Sequence, residues 1–344
     1  MKKKLEKEAE PLQPHTQLIE MLTGYRVSQV VYAAAKLGLA DHFAEQPMSA
    51  AELAELTGTR EALLYRLMRT LASLGIMLED TEHRFSLTPL GKALKSDAPG
   101  YARGTILTFG DEVWWRAWGE FVNCLKTGQS GINLAYGTNV WDCIEKRPEL
   151  RSHLNEAMID FHGSEALAVA KAYDFSGMGT LVDVGGGTGN VLVTILDNFS
   201  NLRGILFELP NVGQEASDLI TNKGMADCIA VQVGDFFTSI PVGGDAYILS
   251  HIIHDWDDEK SLIILRNCHK VMKSNSKLLI VEMVIPEGNS PHPGKILDME
   301  MIVIDEAQER TGEEYRSLLE RAGFRLERII PTDSAVSIVE ASPQ

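Results

Sequence analysis

No stretch of the chain approaches the ~20 consecutive apolar residues that a membrane-spanning helix needs. Its 344 residues, 44% of them apolar, are therefore expected to fold in solution, with enough material for two cores. Cysteine is scarce. Cys124, Cys143, Cys228 and Cys268 stand apart, with neither Cys-x-x-Cys nor Cys/His ligand spacing, which argues against a zinc site and a disulfide framework. Positive charge is also short: 32 Lys and Arg against 48 Asp and Glu give a formal net charge of −16. That balance repels phosphate backbones, so nucleic acid is not an expected partner without a locally basic face, whereas a cationic small molecule is less disfavoured. Met1 to Pro11 lacks an apolar run after its lysines. Residues 1–14 thus read as a disordered tail rather than a signal peptide, and the expected location is cytoplasmic.

From His15 to Phe43 the apolar positions Leu18, Met21, Leu22, Val27, Val30, Val31 and Ala34 approximate helical spacing and predict one helix. Ser49-Ala-Ala-Glu52 is a capping box that opens a short helix ending near Gly58. A further helix from Thr59 to Gly75 places Leu63, Leu64, Leu67, Met68, Leu71 and Leu74 on one face. Ile76 to Leu78 and Arg84 to Leu87, joined by a polar turn, form a hairpin. Helix, turn, helix, hairpin is a winged-helix order, assigned to residues 15–100. Residues 101–175 form a helical connecting region whose last helix runs from Pro148 to Tyr173. Beyond residue 175 short β-rich runs alternate with helical stretches: Thr180–Val184, Gly204–Phe207, Ile229–Val233, Ala246–Leu249 and Leu278–Val281. The alternation predicts a doubly wound, Rossmann-like α/β sheet over 176–344, with ligands beyond the carboxyl ends of its strands. Arg325–Pro331 and Ala335–Ala341 predict an antiparallel hairpin at its edge.

Chemistry concentrates at those strand ends. Leu181-Val-Asp-Val-Gly-Gly-Gly-Thr-Gly189 runs a strand into bare backbone and then a helix. A dinucleotide fingerprint would put its third glycine at position 190. Asn190 stands there, and the spacing Gly185-x-Gly187-x-Gly189 suits an adenosyl ligand without a pyrophosphate. Glu208 closes the second strand, where a carboxylate can accept two ribose hydroxyls. Gly234-Asp235-Phe236-Phe237 closes the third, with an acid and an aromatic suited to an adenine amine and ring face. A lone glycine turn, exposed acid or core phenylalanine would mean little, but three consecutive strand ends of this kind form a pattern. The fourth strand runs into Ser250-His-Ile-Ile-His-Asp-Trp-Asp-Asp258. His251 reads as structural or solvated. His254 follows a strand end on the ligand side with Asp255 beside it, and an imidazole can take a hydroxyl proton as that oxygen attacks an electrophile. Glu282, ending the fifth strand, and Glu309, before the capping box Thr311-Gly-Glu-Glu314, are expected near the same rim, and one of them can hold the imidazole tautomer.

Taken in order, Val-Asp-Val-Gly-Gly-Gly-Thr-Gly, Glu-Leu-Pro, Gly-Asp-Phe-Phe, His-Asp-Trp and Glu-Arg-Thr resemble the plant caffeic acid-type and acetylserotonin-type O-methyltransferase family over nearly the whole chain. The resemblance implies S-adenosylmethionine (SAM) as methyl donor and a homodimer built by the winged-helix N-terminus. It further implies no metal and direct methyl transfer to a hydroxyl, here of a small hydroxylated aromatic of secondary metabolism. Position by position it makes His254 the base, with Glu282 and Glu309 flanking it. Gly185, Asp235 and Phe236 match SAM contacts, and Asp183, Gly187, Glu208, Gly234 and Ser250 complete that candidate set. Trp114 and Met158 fall where the family lines its acceptor pocket, joined by Phe161 and Asp255. Three departures stand out: Glu208 for the usual aspartate, Ser250 for a frequent lysine, and Glu306-Ala307 for a frequent Gly-Gly.

Two other readings compete. A ligand-sensing, DNA-binding winged helix would need clustered cations, but Ser49 to Leu94 holds five Arg and Lys against six Asp and Glu. A SAM-binding relative with non-methylating chemistry (hydroxylation, decarboxylation or a pericyclic reaction) is disfavoured by the presence of His254, Glu282 and Glu309.

Overall fold

A computed structural model describes residues 13–44, 46–98 and 102–344, without the side chains of residues 159–164 and 211. Of the tail expected over 1–14, residues 1–12 lie outside the described residues, and Pro14 already opens a helix. The chain divides into two compact units between Asp111 and Glu112.

In the first unit, Pro14–Thr23 (α1) and Tyr25–Lys36 (α2) replace the single helix expected from His15 to Phe43. The Gly24 amide bonds back three residues, to the Met21 carbonyl, rather than four, a tightening that ends the first helix. Gly38, at φ 62°, then turns the chain into a 3-10 turn, Leu39–His42. Strand β1 (Met48–Ser49) enters α3 (Ala50–Thr57) through the anticipated capping box, in which Ser49 and Glu52 satisfy each other's amides. Helix α4 (Glu61–Ser73) buries Leu64, Met68 and Leu71. Strands β2 (Met77–Glu79) and β3 (Arg84–Leu87) form the hairpin, and β1 adds a third antiparallel strand in the order β1-β3-β2. Short helices α5 (Pro89–Lys92) and α6 (Ala102–Phe109) follow. Helix α1 buries none of its residues.

The second unit begins with α7 (Glu112–Gly119), α8 (Phe121–Thr127), α9 (Gly131–Tyr136), α10 (Val140–Glu145) and the long α11 (Pro148–Ala172). The sheet starts at residue 180, where the composition changes, but these helices belong to its compact unit, α11 packing on the first helix of the sheet region. That region runs β4 (Thr180–Val184), α12 (Asn190–Asn198), β5 (Arg203–Glu208), α13 (Pro210–Asn222), β6 (Ile229–Val233), β7 (Ala246–Ser250), α14 (Asp258–Val271) and β8 (Lys277–Glu282). After the short β9 (Val284–Ile285) come α15 (Pro293–Ile304), β10 (Arg310–Thr311), α16 (Gly312–Arg321), β11 (Phe324–Pro331) and β12 (Ser337–Pro343).

The seven-stranded sheet has the order β11-β12-β8-β7-β4-β5-β6. Its central strands are parallel, and the closing pair is antiparallel. Parallel strands buried on both faces read as nearly continuous apolar runs. Leu181 accordingly enters the core with Val169 of α11 and Leu192 of α12, while Val182 and Val184 enter the other with Leu265 of α14 and Leu318 of α16. The chain leaves β4 toward β5 and β6 on one side, then returns to β7 and β8 on the other. The carboxyl ends of β4 and β7 therefore flank the switch point where open α/β sheets hold their ligands. Among the described residues no helix is long and apolar enough to cross a membrane.

Candidate active site

The glycine turn after β4 is shaped by what it cannot accommodate. Gly185, Gly187 and Gly189 have φ of 72°, 56° and 85°, a region that glycine enters without steric penalty. A Cβ on Gly185 would lie 2.6 Å from Ile252 Cδ1, and one on Gly186 would lie 2.5 Å from Asp183 Oδ2. A Cβ on Gly187 would meet nothing within 4 Å, so that side of the turn is open. Asp183, anticipated as a ligand contact, is instead fully buried beneath the turn, with no hydrogen-bond partner of standard geometry for either oxygen. Burial first, and the nearby Glu208 charge second, push its carboxyl up to about 7.

Glu208 ties the second strand end to the same turn: Oε2 accepts the Gly187 amide at 2.9 Å and Oε1 the Leu209 amide at 2.7 Å. A carboxylate offers about four lone-pair sites, which leaves acceptor capacity for two hydroxyls. At the third strand end Asp235 is exposed, and its Oδ1 accepts the Phe237 amide at 2.8 Å. Gly234 fits against the Phe207 ring, 2.6 Å from where a Cβ would stand. Asn267 holds the Phe236 and Phe237 carbonyls at 2.9 Å each, and the ring of Phe236 meets those of Phe237 and Trp256 edge-on. Ser250 ends β7, half-buried.

Beyond Ser250, His251 takes φ 54° and Ile253–Asp255 form a 3-10 turn that carries His254. Buried groups of opposite charge hold this turn. Glu282 Oε1 accepts the amides of Ile252, Ile253 and His254 at 3.2, 2.6 and 3.1 Å, while its Oε2 accepts the Tyr315 hydroxyl. Arg310, 1% exposed, donates to the Ile253 carbonyl at 2.9 Å, the Trp256 carbonyl at 3.0 Å and Asp258 Oδ1 at 3.1 Å. The Gln308 amide takes the His254 carbonyl at 3.0 Å.

Of the two acids expected to flank the base, only Glu309 meets the ring: its Oε1 lies 2.6 Å from His254 Nδ1. Glu282 reaches the backbone instead, because its position at the end of β8 points it at the amides of the adjacent turn. An Nδ1–H donated to Glu309 leaves Nε2 as the basic nitrogen, and Asp255 Oδ1 lies 3.5 Å from it. Burial lowers the His254 pKa, but the charge of Asp255, the hydrogen bond to Glu309 and the charges of Glu282 and Glu309 together outweigh it and raise it to about 10.

The candidate acceptor residues differ in exposure. Trp114 is 2% exposed, inside α7, and Met158 is 36% exposed on α11. The side chain of Phe161 lies outside the described residues, and Asp255 stands at the base itself. Sequence reasoning missed Arg310, Tyr315 and Glu165, whose Oε2 lies 2.7 Å from His251 Nε2. Arg310 directly follows Glu309 in the Glu-Arg-Thr motif, and that adjacency was the available signal. Among the described residues no group of three or more His, Cys, Asp or Glu is arranged to hold a metal ion.

Residues 117–325 match the O-methyltransferase domain family, and residues 19–97 match the O-methyltransferase dimerisation domain. The chain is 44% identical to a phenazine O-methyltransferase of Lysobacter antibioticus, over 95% of each chain. A mitomycin 7-O-methyltransferase structure superposes with a TM-score of 0.90 at 35% identity, covering 96% of this chain and 98% of the other. An O-methyltransferase from neocarzinostatin biosynthesis, solved with SAM and 2-hydroxy-5-methyl naphthoic acid, superposes with a TM-score of 0.83 at 29% identity, covering 98% of this chain and 100% of the other.

Proposed function

The chain belongs to the O-methyltransferase family, and from that premise we propose that His254 is the general base for methyl transfer to the hydroxyl of a small aromatic acceptor. SAM is the methyl donor of this family. The open backbone at Gly187 and the spare acceptor capacity of Glu208 and Asp235 fit an adenosyl group with its ribose. The residues that would hold it are Gly185, Gly187, Glu208, Gly234, Asp235, Phe236 and Ser250. When bound, SAM supplies an electrophilic methyl on a sulfonium.

The observation that carries the assignment is the 2.6 Å contact between Glu309 and His254 Nδ1. It orients the ring, fixes the tautomer and leaves Nε2 to receive a proton. A phenol ionises near pH 10, close to the value of about 10 to which His254 is raised. Transfer to the neutral imidazole is then nearly balanced in free energy and can proceed as the oxygen attacks. The resulting imidazolium is held between Glu309 and Asp255. Because the pair is intact, the reading favours methyl transfer over chemistries that dispense with a base. In the same reading Trp114 and Met158 line the acceptor pocket, the chain works as a homodimer without nucleic acid, and its four free thiols suit the cytoplasm.

The test is a mass-spectrometric screen of hydroxylated aromatics with SAM, scored for the gain of one methyl group and repeated with His254→Gln. The variant should lower kcat by ~10² to 10⁴-fold while SAM affinity stays within a few-fold. Near wild-type kcat at neutral pH would remove His254 from the role.

A further inference from the structure

A second imidazole–carboxylate pair stands beside the first, and the mechanism above does not use it. Glu165, on α11, lies 2.7 Å from His251 Nε2, and the two side chains are about nine-tenths buried. The His251 and His254 ring centroids are 5.2 Å apart. His251 also adopts left-handed backbone at φ 54°, which among the described non-glycine residues only His83, in the β2–β3 turn, shares. Such a conformation is uncommon for a side-chain-bearing residue and tends to persist where function requires it. The fold does not need the pair to anchor this turn, because Glu282 and Arg310 already hold its amides and carbonyls.

Resting on His254 as the base, we propose that Glu165–His251 is a specificity contact that reads the substituent beside the reacting hydroxyl, and that this substituent is a hydrogen-bond donor such as an amine. The two rings lie 5.2 Å apart, so His254 and the Glu165 carboxylate beside His251 can address neighbouring substituents of a single aromatic ring, each over a hydrogen bond of ~2.8 Å. The sign of the surroundings selects the donor. Glu165, Asp255, Glu309 and Glu282 place four carboxyl groups around the two imidazoles, so an anionic neighbour such as a carboxylate is repelled. Glu165 Oε2 faces the ring, and Oε1 has no hydrogen-bond partner among the described residues, which leaves it to accept from an amino or hydroxyl group.

The experiment compares 2-aminophenol, phenol and salicylate as acceptors for the wild type, Glu165→Gln and His251→Asn. Asparagine is chosen because it tolerates left-handed backbone. Calorimetric binding of each acceptor to enzyme saturated with S-adenosylhomocysteine provides a readout independent of turnover. The wild type should prefer 2-aminophenol to phenol and phenol to salicylate in kcat/KM. Either variant should compress the 2-aminophenol to phenol ratio about tenfold, with the same compression in the dissociation constants. An unchanged ratio in both folded variants, or a wild-type preference for salicylate, overturns the contact while leaving the methyltransferase reading in place. Methylation of none of the phenols, here or in the wider screen, would count against that reading and this inference together.

Discussion

Glu282 and Arg310 grip one turn of backbone by its opposite poles: the carboxylate takes the amides of Ile252, Ile253 and His254, and the guanidinium takes the carbonyls of Ile253 and Trp256. Neither touches the imidazole they position. Each neutralises part of the other's burial cost through the peptide dipoles between them, so the ring is held by fixed charges rather than by apolar packing alone. Because Glu309 lies between Gln308 and Arg310, one short segment holds the His254 carbonyl, its ring and the flanking carbonyls.

Removing one pole should therefore be worse than softening it. Arg310→Met takes the closest donor from two buried carbonyls, which keep only 3.3 Å contacts from Ser261 Oγ and, at Ile253, the Trp256 amide, and should destabilise the fold by about 3 kcal/mol, the scale seen when one partner of a buried charged network is deleted. Tyr315→Phe takes only one donor from Glu282 and should lose about 2 kcal/mol, within the range for a hydrogen bond to a charged group. Urea unfolding reads both. A loss below 1 kcal/mol for Arg310→Met would mean that the turn is held by other contacts.

The raised pKa of His254 has a sign that can be checked. A group whose pKa rises from 6.5 to about 10 on folding contributes stability that is fully present below pH 6.5 and is lost as pH climbs through about 10. The stability advantage of the wild type over His254→Gln should accordingly be largest below pH 6.5 and shrink as pH rises from there to about 10. Over the same range wild-type kcat/KM should rise, because the base must be neutral to accept a proton. A pH-independent stability difference, or a rate that falls across this window, contradicts the assignment.

How far this was legible in the sequence depends on whether a feature is local. The capping boxes at Ser49 and Thr311 and the strands from Thr180 to Val281 are written in neighbouring residues and could be read to within a residue or two at each end. Gly24 breaks a helix that periodicity alone carries through, because the apolar spacing continues on both sides of it. Which of Glu282 and Glu309 meets the ring was not readable. Both follow or precede strands, and only the register of β8 beside β7 turns Glu282 onto backbone. Asp183 could have been placed correctly, since strand parity puts it on the face of Leu181, under the turn rather than above it.

Glu208 links two strand ends and should carry SAM affinity. Glu208→Ala removes the acceptor of the Gly187 amide, 2.9 Å away, as well as the proposed ribose contacts. Calorimetry should show binding weakened by ~1.5 to 3 kcal/mol, the range for hydrogen bonds to charged groups, or roughly 10 to 150-fold. Glu208→Gln, which keeps an acceptor oxygen but loses the charge, should fall between wild type and alanine. Equal SAM affinity in all three proteins would detach this strand end from the site.

Helix α1 poses the last question, because it buries none of its ten residues. Leu18, Ile19, Met21 and Leu22 stand 68%, 57%, 76% and 72% exposed. Isolated helices shorter than about 12 residues are marginal in water, so a helix this short and this apolar needs a cover, and a contiguous exposed apolar face marks an interface. Residues 19–97 match the family's dimerisation domain, which makes a second copy the natural cover. Leu18→Glu combined with Leu22→Glu places charge on that face without touching the core of Leu53, Met68 and Phe85. The double variant should run as a monomer by light scattering at micromolar concentration, and its melting temperature should depend less on protein concentration than that of the wild type. A dimer that persists with unchanged affinity would move the interface away from α1.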